Sequence, residues 1–279
     1  MIKFSLVIPT LNAGSSWKIL LDRIQEQSVQ PQHKILLDSG SSDSTVINAK
    51  GVGFDVYNIN EFNHGLTRNL GMELAGESEF VIFMTQDAVL MNNMSFEFLL
   101  EPFENKDVAV VYGRQIARED ANGVERFMRM VNYPEKSLYK SMEDKESLGL
   151  KTPFCSNSFS AYRKADLLES GNFKATNFGE DMLAAATLLM AGKKVVYCAK
   201  AQVIHSHNEN IFAVFKRGMA IGRMHKINPW LYDEFGKPEK AAEGLIKKAY
   251  NEMSLKMFIF FIIFCVFKYT GFKLGRFIQ

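Results

Sequence analysis

Four polar clusters hold the side chains that could do chemistry, and each follows or interrupts an apolar run. The first is Asp38-Ser-Gly-Ser-Ser-Asp43. A strand that runs into a Gly/Ser/Asp turn and then a helix exposes polar groups at the carboxyl edge of an α/β sheet, where such folds bind nucleotides. Two carboxylates and several hydroxyls suit a base and ribose better than a pyrophosphate. As plain turn residues, Ser42 or Asp43 would cap the next helix. Asp38 stands at the strand's end, where no helix starts.

The second cluster is Phe62-Asn-His-Gly-Leu-Thr-Arg-Asn69. Asn63, His64 and Gly65 make a turn, and Arg68 is expected in the first turn of a helix over 67–75. A cation there opposes the helix dipole, and an anionic ligand would resolve the conflict. The third is Thr85-Gln86-Asp87, directly after the apolar run Phe80–Met84. Residues at i and i+2 project to one side of an extended segment. Thr85 and Asp87 would then point together, and Asp87 with substrate phosphates would suit Mg²⁺ or Mn²⁺. The fourth, Asn177-Phe-Gly-Glu-Asp181, opens a helix over 180–191, with His205-Ser-His207 after a later strand. Glu180 and Asp181 complement a helix N-terminus whether or not they react. Gly179 permits close backbone approach, and a histidine of the pair could supply a metal ligand.

The elements that must position these groups alternate. Strands are expected over 4–9, 34–37, 55–59, 80–84 and 108–112, with helices over 17–27, 45–50, 67–75 and 96–103. This rhythm argues for an α/β fold with a mostly parallel sheet flanked by helices. After Gly113 a charged, Met-rich stretch carries a weak helix near 124–131. Strands at 158–162, 194–197 and 202–204 follow, and the chain from Ile211 reads as helical.

The chain has 279 residues, 47% of them hydrophobic, which is enough for one large domain or a domain with an appendage. A net charge of +2 carries no nucleic-acid footprint. Cys155, Cys198 and Cys265 lack metal or redox spacing and read as reduced thiols. Without a charged-then-apolar leader, the expectation is a protein that is not secreted. Met257–Phe267 is continuously apolar, with basic residues around it. Eleven residues of helix reach only ~16 Å, short of the ~30 Å of a bilayer core. The expected organisation is a catalytic domain over 1–225 and a C-terminal helical extension over 226–279, whose apolar segment 257–267 associates with a membrane without crossing it.

Taken in order, these motifs resemble family 2 glycosyltransferases of the GT-A fold, over roughly residues 3–225. FNHGLTRNLG, MTQDA, FGEDMLAA and VIHSHN, with the segment Trp230–Pro238 and the terminal TGFKLGR, resemble bacterial rhamnosyltransferases of surface-polysaccharide assembly. The resemblance implies a donor site of Thr10, Asn12, Asp38, Asp43, Asn63, Gly65, Arg68, Thr85 and Gln86. Asp38 would bind the pyrimidine base and Arg68 the diphosphate. It implies Asp87 as metal ligand of a DxD-type motif, His205 as a further ligand, and Mg²⁺ or Mn²⁺ as the cofactor. Asp181 would be the general base, with Glu180 beside it and the two not ranked. Thr85 departs from the family pattern, which has an acid there, so the motif brings one charge fewer to the metal.

The implied reaction is an inverting transfer, most simply of rhamnose from dTDP-rhamnose to a lipid-linked glycan, at the cytoplasmic face of the inner membrane. Rival readings are a same-fold enzyme using a UDP-hexose and an inactive membrane-associated scaffold that binds nucleotide sugars. A Rossmann oxidoreductase is disfavoured, because Pro9-Thr-Leu-Asn-Ala-Gly14 does not make GxGxxG.

Overall fold

The alternation of apolar runs and polar turns resolves into nine strands among the described residues, which in this computed structural model are 2–236 and 239–278. Lys237 and Pro238, at the end of the Trp230–Pro238 segment, lie outside them. The strands are β1 (Phe4–Thr10), β2 (His33–Asp38), β3 (Asp55–Asn58), β4 (Phe80–Met84), β5 (Val89–Leu90), β6 (Val108–Ile116), β7 (Leu138–Lys140), β8 (Phe159–Arg163) and β9 (Lys194–Ile204). The first helices are α1 (Ser16–Gln25), α2 (Thr45–Gly51), α3 (His64–Leu74), α4 (Ser95–Leu100), α5 (Gly123–Asn132) and α6 (Lys145–Leu148). They are followed by α7 (Lys164–Glu169), α8 (Glu180–Met190), α9 (Ile211–Ile227), α10 (Trp230–Phe235), α11 (Glu239–Glu252) and α12 (Leu255–Phe277).

The strands form one sheet in the order β3-β2-β1-β4-β8-β6-β9-β5, with β7 on β9. The pairs among β3, β2, β1 and β4 are parallel, as the βα rhythm requires. Beyond β4 the sheet is mixed: β8 runs antiparallel to β4 and β6, and β9 is parallel to β6 but antiparallel to β5 and β7. A mostly parallel sheet therefore describes only the N-terminal half. Strand direction follows from the path of the chain between strands, and the irregular stretch before β8 leaves no periodicity from which to read it.

Trp17, Leu20, Leu21 and Ile24 bury one face of α1 in the core beside the sheet. Each such side chain contributes about 1.5–3 kcal/mol. The parallel strands β1, β2 and β4 end at Thr10, Asp38 and Met84, so the candidate polar residues begin where the apolar runs stop.

Two compact units emerge. The first comprises Met1–Ile116, Tyr133–Met142 and Pro153–His205 and contains the whole sheet. The second comprises Ala117–Asn132, Glu143–Thr152 and Ser206–Gln279, and its helices include α5, α9, α11 and α12. The division expected after residue 225 falls inside α9. The expected eleven-residue apolar segment is also longer in fact. It lies within the 23-residue α12, which by length and composition could cross a membrane. The length argument against spanning therefore fails, because the helix continues through Lys268 and the glycines beyond it.

Candidate functional site

Where β1 and β2 end side by side, Thr10 and Asp38 are register partners and Thr10 Oγ1 donates to Asp38 Oδ1 at 3.1 Å. Asp38 is 2% exposed, and its carboxylate also accepts from the main-chain N–H groups of Gly40 and Ser41 and from the Ser41 hydroxyl. Burial pushes this carboxyl up, but the hydrogen bonds from Ser41, Gly40 and Thr10 outweigh it and hold the group below its ordinary value. Asp38 thus organises the loop from beneath. It does not stand open to a base, as the resemblance implies.

The loop it shapes presents Asn12, in the left-handed region at φ 47°, whose Oδ1 accepts from Ser42 N–H at 2.9 Å. Asp43 accepts from Thr45 and from Gly14 N–H. Gln86 clamps the loop from the next strand end: its Oε1 accepts from Leu11 N–H at 2.8 Å and its Nε2 donates to Leu11 O at 3.1 Å.

Helix α3 begins at His64, three residues before the expected start. Asn63 caps it, accepting from Gly65 and Leu66 N–H while its Nδ2 donates to Asn177 Oδ1 at 2.9 Å. Gly65 is required by packing: a Cβ there would strike the carbonyl of Lys174. Its N–H donates to Thr176 O at 3.2 Å. The loop before α8 is thereby fastened to the start of α3.

That attachment decides the fate of Arg68. The resemblance sends it to a diphosphate; the fold turns it inward. Arg68 is 3% exposed, its Nη1 lies 3.2 Å from Glu180 Oε1, and it donates to His64 O at 3.0 Å. With α3 starting at His64, Arg68 stands past the first turn, and the anion it meets is Glu180. Asn157 braces the same group, donating from Nδ2 to Glu180 Oε1 at 3.0 Å and from its main-chain N–H to Asp181 Oδ2 at 3.3 Å. Ser160 and Tyr162 both donate to Asn157 Oδ1 at 2.8 Å and fix its orientation.

Asn157 carries no acid, base or motif position, so residue-type reasoning passed over it. The one available signal was a polar run, Ser156-Asn-Ser158, leading directly into the apolar β8.

The two acids at the start of α8 are thereby separated. Glu180 is buried and tied to Arg68, whereas Asp181 is only half-buried. Burial, and then the charge of Glu180, push the Asp181 carboxyl up to about 7, against opposing hydrogen bonds from Met182 and Asn157 and the charge of Arg68. A carboxylate poised near neutrality is suited to taking a proton from a hydroxyl.

At the other strand ends, Asp87 Oδ1 lies 3.4 Å from Nε2 of His205, which follows β9. Gln115 Nε2 donates to Ser156 Oγ at 2.8 Å, which turns its Oε1 toward His205 Nδ1 at 2.9 Å. With Nδ1 turned to that oxygen, Nε2 is the ring nitrogen that faces the carboxylate. A carboxylate and an imidazole nitrogen this close could together hold a cation. The Thr85 hydroxyl is buried without a hydrogen-bond partner, and the extended geometry expected to align it with Asp87 gives way to a turn over Gln86 and Asp87. A carboxylate with an imidazole fits Mn²⁺ or Mg²⁺. His207 follows two residues later and begins the second unit's chain with Ser206.

A sheet whose carboxyl edge carries a hydroxyl-rich loop, a cation-ready pair and a neutral-range carboxylate narrows the field. Residues 5–171 match the model of glycosyl transferase family 2. The chain belongs to that family. This glycosyltransferase is 40% identical to the O-antigen chain rhamnosyltransferase RfbN of Salmonella typhimurium, over 98% of the chain and 90% of that protein. The O-antigen chain rhamnosyltransferase WbaN of Salmonella anatum is also 40% identical, over 99% of the chain and 90% of that protein.

Among solved structures, the fold matches the mannosyltransferase PcManGT of Pyrobaculum calidifontis, determined with GDP-Man and Mn²⁺. The TM-score is 0.64 at 13% identity, covering 99% of this chain and 85% of that one. It also matches glucosyl-3-phosphoglycerate synthase of Mycobacterium tuberculosis, determined with Mn²⁺, UDP-Glc and phosphoglyceric acid. There the TM-score is 0.55 at 18% identity, covering 85% and 81% of the two chains. These likenesses establish the GT-A fold of the glycosyltransferase.

Proposed function

We propose that this glycosyltransferase moves rhamnose from dTDP-rhamnose to a lipid-linked glycan at the cytoplasmic face of the inner membrane, inverting the anomeric centre, in surface-polysaccharide assembly. The choice of sugar and product rests on identity at 40% to two O-antigen chain rhamnosyltransferases over almost the whole chain. The reaction rests on one observation: Asp181 is half-buried, held near neutrality, and stands beside a Glu180 already committed to Arg68.

In the proposed step the acceptor hydroxyl oxygen attacks the anomeric carbon as its proton passes to an Asp181 carboxylate oxygen. The bond from that carbon to the nucleoside diphosphate breaks, and the electron pair leaves on the diphosphate. No protein nucleophile intervenes, so one displacement inverts the centre. Thr10 and Asp38 hold the loop that receives the nucleoside, and Asn12, Asp43, Asn63 and Gly65 shape its borders. Gln86 keeps that loop in register with the strand end carrying Asp87. When bound, Mg²⁺ or Mn²⁺ held by Asp87 and His205 would offset the charge of the departing diphosphate. Arg68 holds Glu180 in place through their ion pair, and Asp181 is the neighbouring acid left outside it.

The test is a panel of nucleotide sugars offered to the purified protein with Mn²⁺ and a polyprenyl-linked acceptor. Transfer from dTDP-rhamnose with inverted stereochemistry is expected. Robust transfer from a UDP-hexose and none from dTDP-rhamnose would overturn the donor while sparing the family.

A further inference from the structure

Helix α9 carries Gly218 and Gly222, and α12 carries Gly271 and Gly275 at the same four-residue spacing. All four face the backbone of the other helix. A Cβ on Gly218 would strike the carbonyl of Lys268, on Gly222 that of Phe272, on Gly271 that of Phe215 and on Gly275 that of Met219. Reciprocal glycines at this spacing let two helices lie backbone against backbone. The N-terminal half of α12 is also anchored. Phe261 is fully buried against Phe127 of α5, 5.5 Å between ring centres, and packs with Ala249 of α11.

The opposite side of α12 is different. Ile259, Phe260, Ile263, Val266, Phe267 and Phe277 are 39–80% exposed. At about 100° per residue they fall within an arc of ~120°. Lys256 falls within this arc at the N-terminal end of the helix and Lys273 at its margin, and both are exposed. Together α9 and α12 carry eight Lys or Arg residues and no Asp or Glu. Arg217 pairs with Glu209 just before α9, and the remaining positive charge beside an apolar stripe is complementary to anionic lipid headgroups over hydrocarbon.

We infer that α12 is an in-plane lipid-docking face, locked along α9 by four reciprocal glycines, and that it does not cross the bilayer. The inference rests on the membrane reading above and gives it a geometry. Crossing would carry into hydrocarbon everything fastened to α12. That includes the exposed Lys216, Arg217, Arg223 and Lys226 of α9, and charged residues in that setting are disfavoured. Lying in the plane keeps the protein-facing side on α5, α9 and α11 and gives only the opposite side to lipid.

The full-length chain, with Cys265→Ser and one cysteine appended at its C-terminus, is expressed in a bacterial host and probed with a membrane-impermeant maleimide. The remaining cysteines, Cys155 and Cys198, are buried. The expected result is that the protein sediments with membranes, resists labelling in spheroplasts and is labelled in inverted vesicles. Labelling in spheroplasts would mean that α12 spans and would overturn the in-plane inference alone. Recovery entirely in the soluble fraction, as monomer or as dimer through this face, would overturn the membrane reading with it.

A second measurement leaves the interior untouched. Phe260→Asp with Phe267→Asp should weaken binding to phosphatidylglycerol vesicles by at least about tenfold, by removing apolar contact and adding negative charge, with nucleotide-sugar binding unchanged. Unaltered vesicle binding by that variant would exclude the stripe as the docking face.

Discussion

The two ends of the candidate site handle charge in opposite ways. Around Asp181 the charges are paired inside the protein: Arg68 meets Glu180 at 3.2 Å, and Asn157 links both acids. Around Asp87 a carboxylate oxygen and an imidazole nitrogen lie 3.4 Å apart, with the buried Thr85 hydroxyl two residues along the chain, a set that we propose a cation completes. The first arrangement fixes a pKa before substrate arrives. The second is, in the reading proposed above, completed by a cation and its diphosphate together. An arginine and an aspartate that read alike in the sequence, as diphosphate and metal contacts, thus fall on different sides of the line between scaffold and ligand site.

The largest effect should come from Asp181→Asn. Loss of the proposed general base is expected to lower turnover by about 10²–10⁴-fold, with little change in donor affinity, read as a split between kcat and KM. The same variant should be more stable above neutral pH. The folded-state value of about 7 lies above the ordinary value of 3.8. The folded protein therefore holds this proton more tightly than the unfolded chain, and stability is lost as pH rises from about 4 to about 7. Removing the ionisation relieves at most ~4 kcal/mol, less what Asn loses as an acceptor. An inactive variant that melts higher at pH 8 is the expected signature. A base-dead variant that melts lower there would show that the Asp181 environment is not strained.

Asp87→Asn tests the other end. With one carboxylate gone from a motif that already has Thr85 in place of an acid, turnover should fall on the order of 10²-fold. Mn²⁺ titration of activity should shift to much higher concentration, while the fold persists because Asp87 is half-exposed at a strand end. Activity that ignores chelator in both wild type and variant would remove the metal from the reaction.

The sequence made the parallel half of the sheet legible because β1, β2 and β4 are apolar runs that end in polar turns. It also made the candidate clusters legible, since chemistry-bearing residue types are conspicuous there. What it concealed was direction and depth. Whether Arg68 points out or in depends on where α3 starts, and that start is set by Asn63 capping and by Gly65 admitting the 174–176 loop. Asn157 and Gln115 escaped notice because an amide that orients an acid or a histidine carries no chemical label of its own. The length of α12 was misread because Lys268 looked like an end, whereas glycine contacts with α9 carry the helix past it.

The internal pair offers a finer test of the same contrast. Glu180→Gln strands a buried guanidinium and should cost about 3–5 kcal/mol of stability, while the double variant Arg68→Met with Glu180→Gln should recover much of it. The acid limb of the rate profile should move with the sign of the missing charge. Glu180 raises the Asp181 value and Arg68 lowers it. The limb should therefore shift to lower pH in Glu180→Gln and to higher pH in Arg68→Met. Identical limbs in all three proteins would reduce the pair to packing.

The smallest effect is expected at Gln115, which meets the His205 ring on the side away from Asp87. Gln115→Leu removes the oxygen to which Nδ1 is turned, so the ring is free to turn, and Nε2 no longer faces Asp87 for most of the time. Loss of such an orienting partner typically weakens metal affinity by 10–100-fold, and the lower end is expected here because Asp87 remains. Activity at limiting Mn²⁺ should fall about tenfold and return at saturating Mn²⁺, and Mn²⁺ binding measured calorimetrically should show the same loss. Asp181 and its buried partners are untouched by this change, so the acid limb measured at saturating metal should coincide with that of the wild type. A displaced limb would mean that the two ends of the site are coupled through Ser156, which Gln115 contacts beside Asn157, and the division between pre-paired and ligand-completed charge would have to be redrawn.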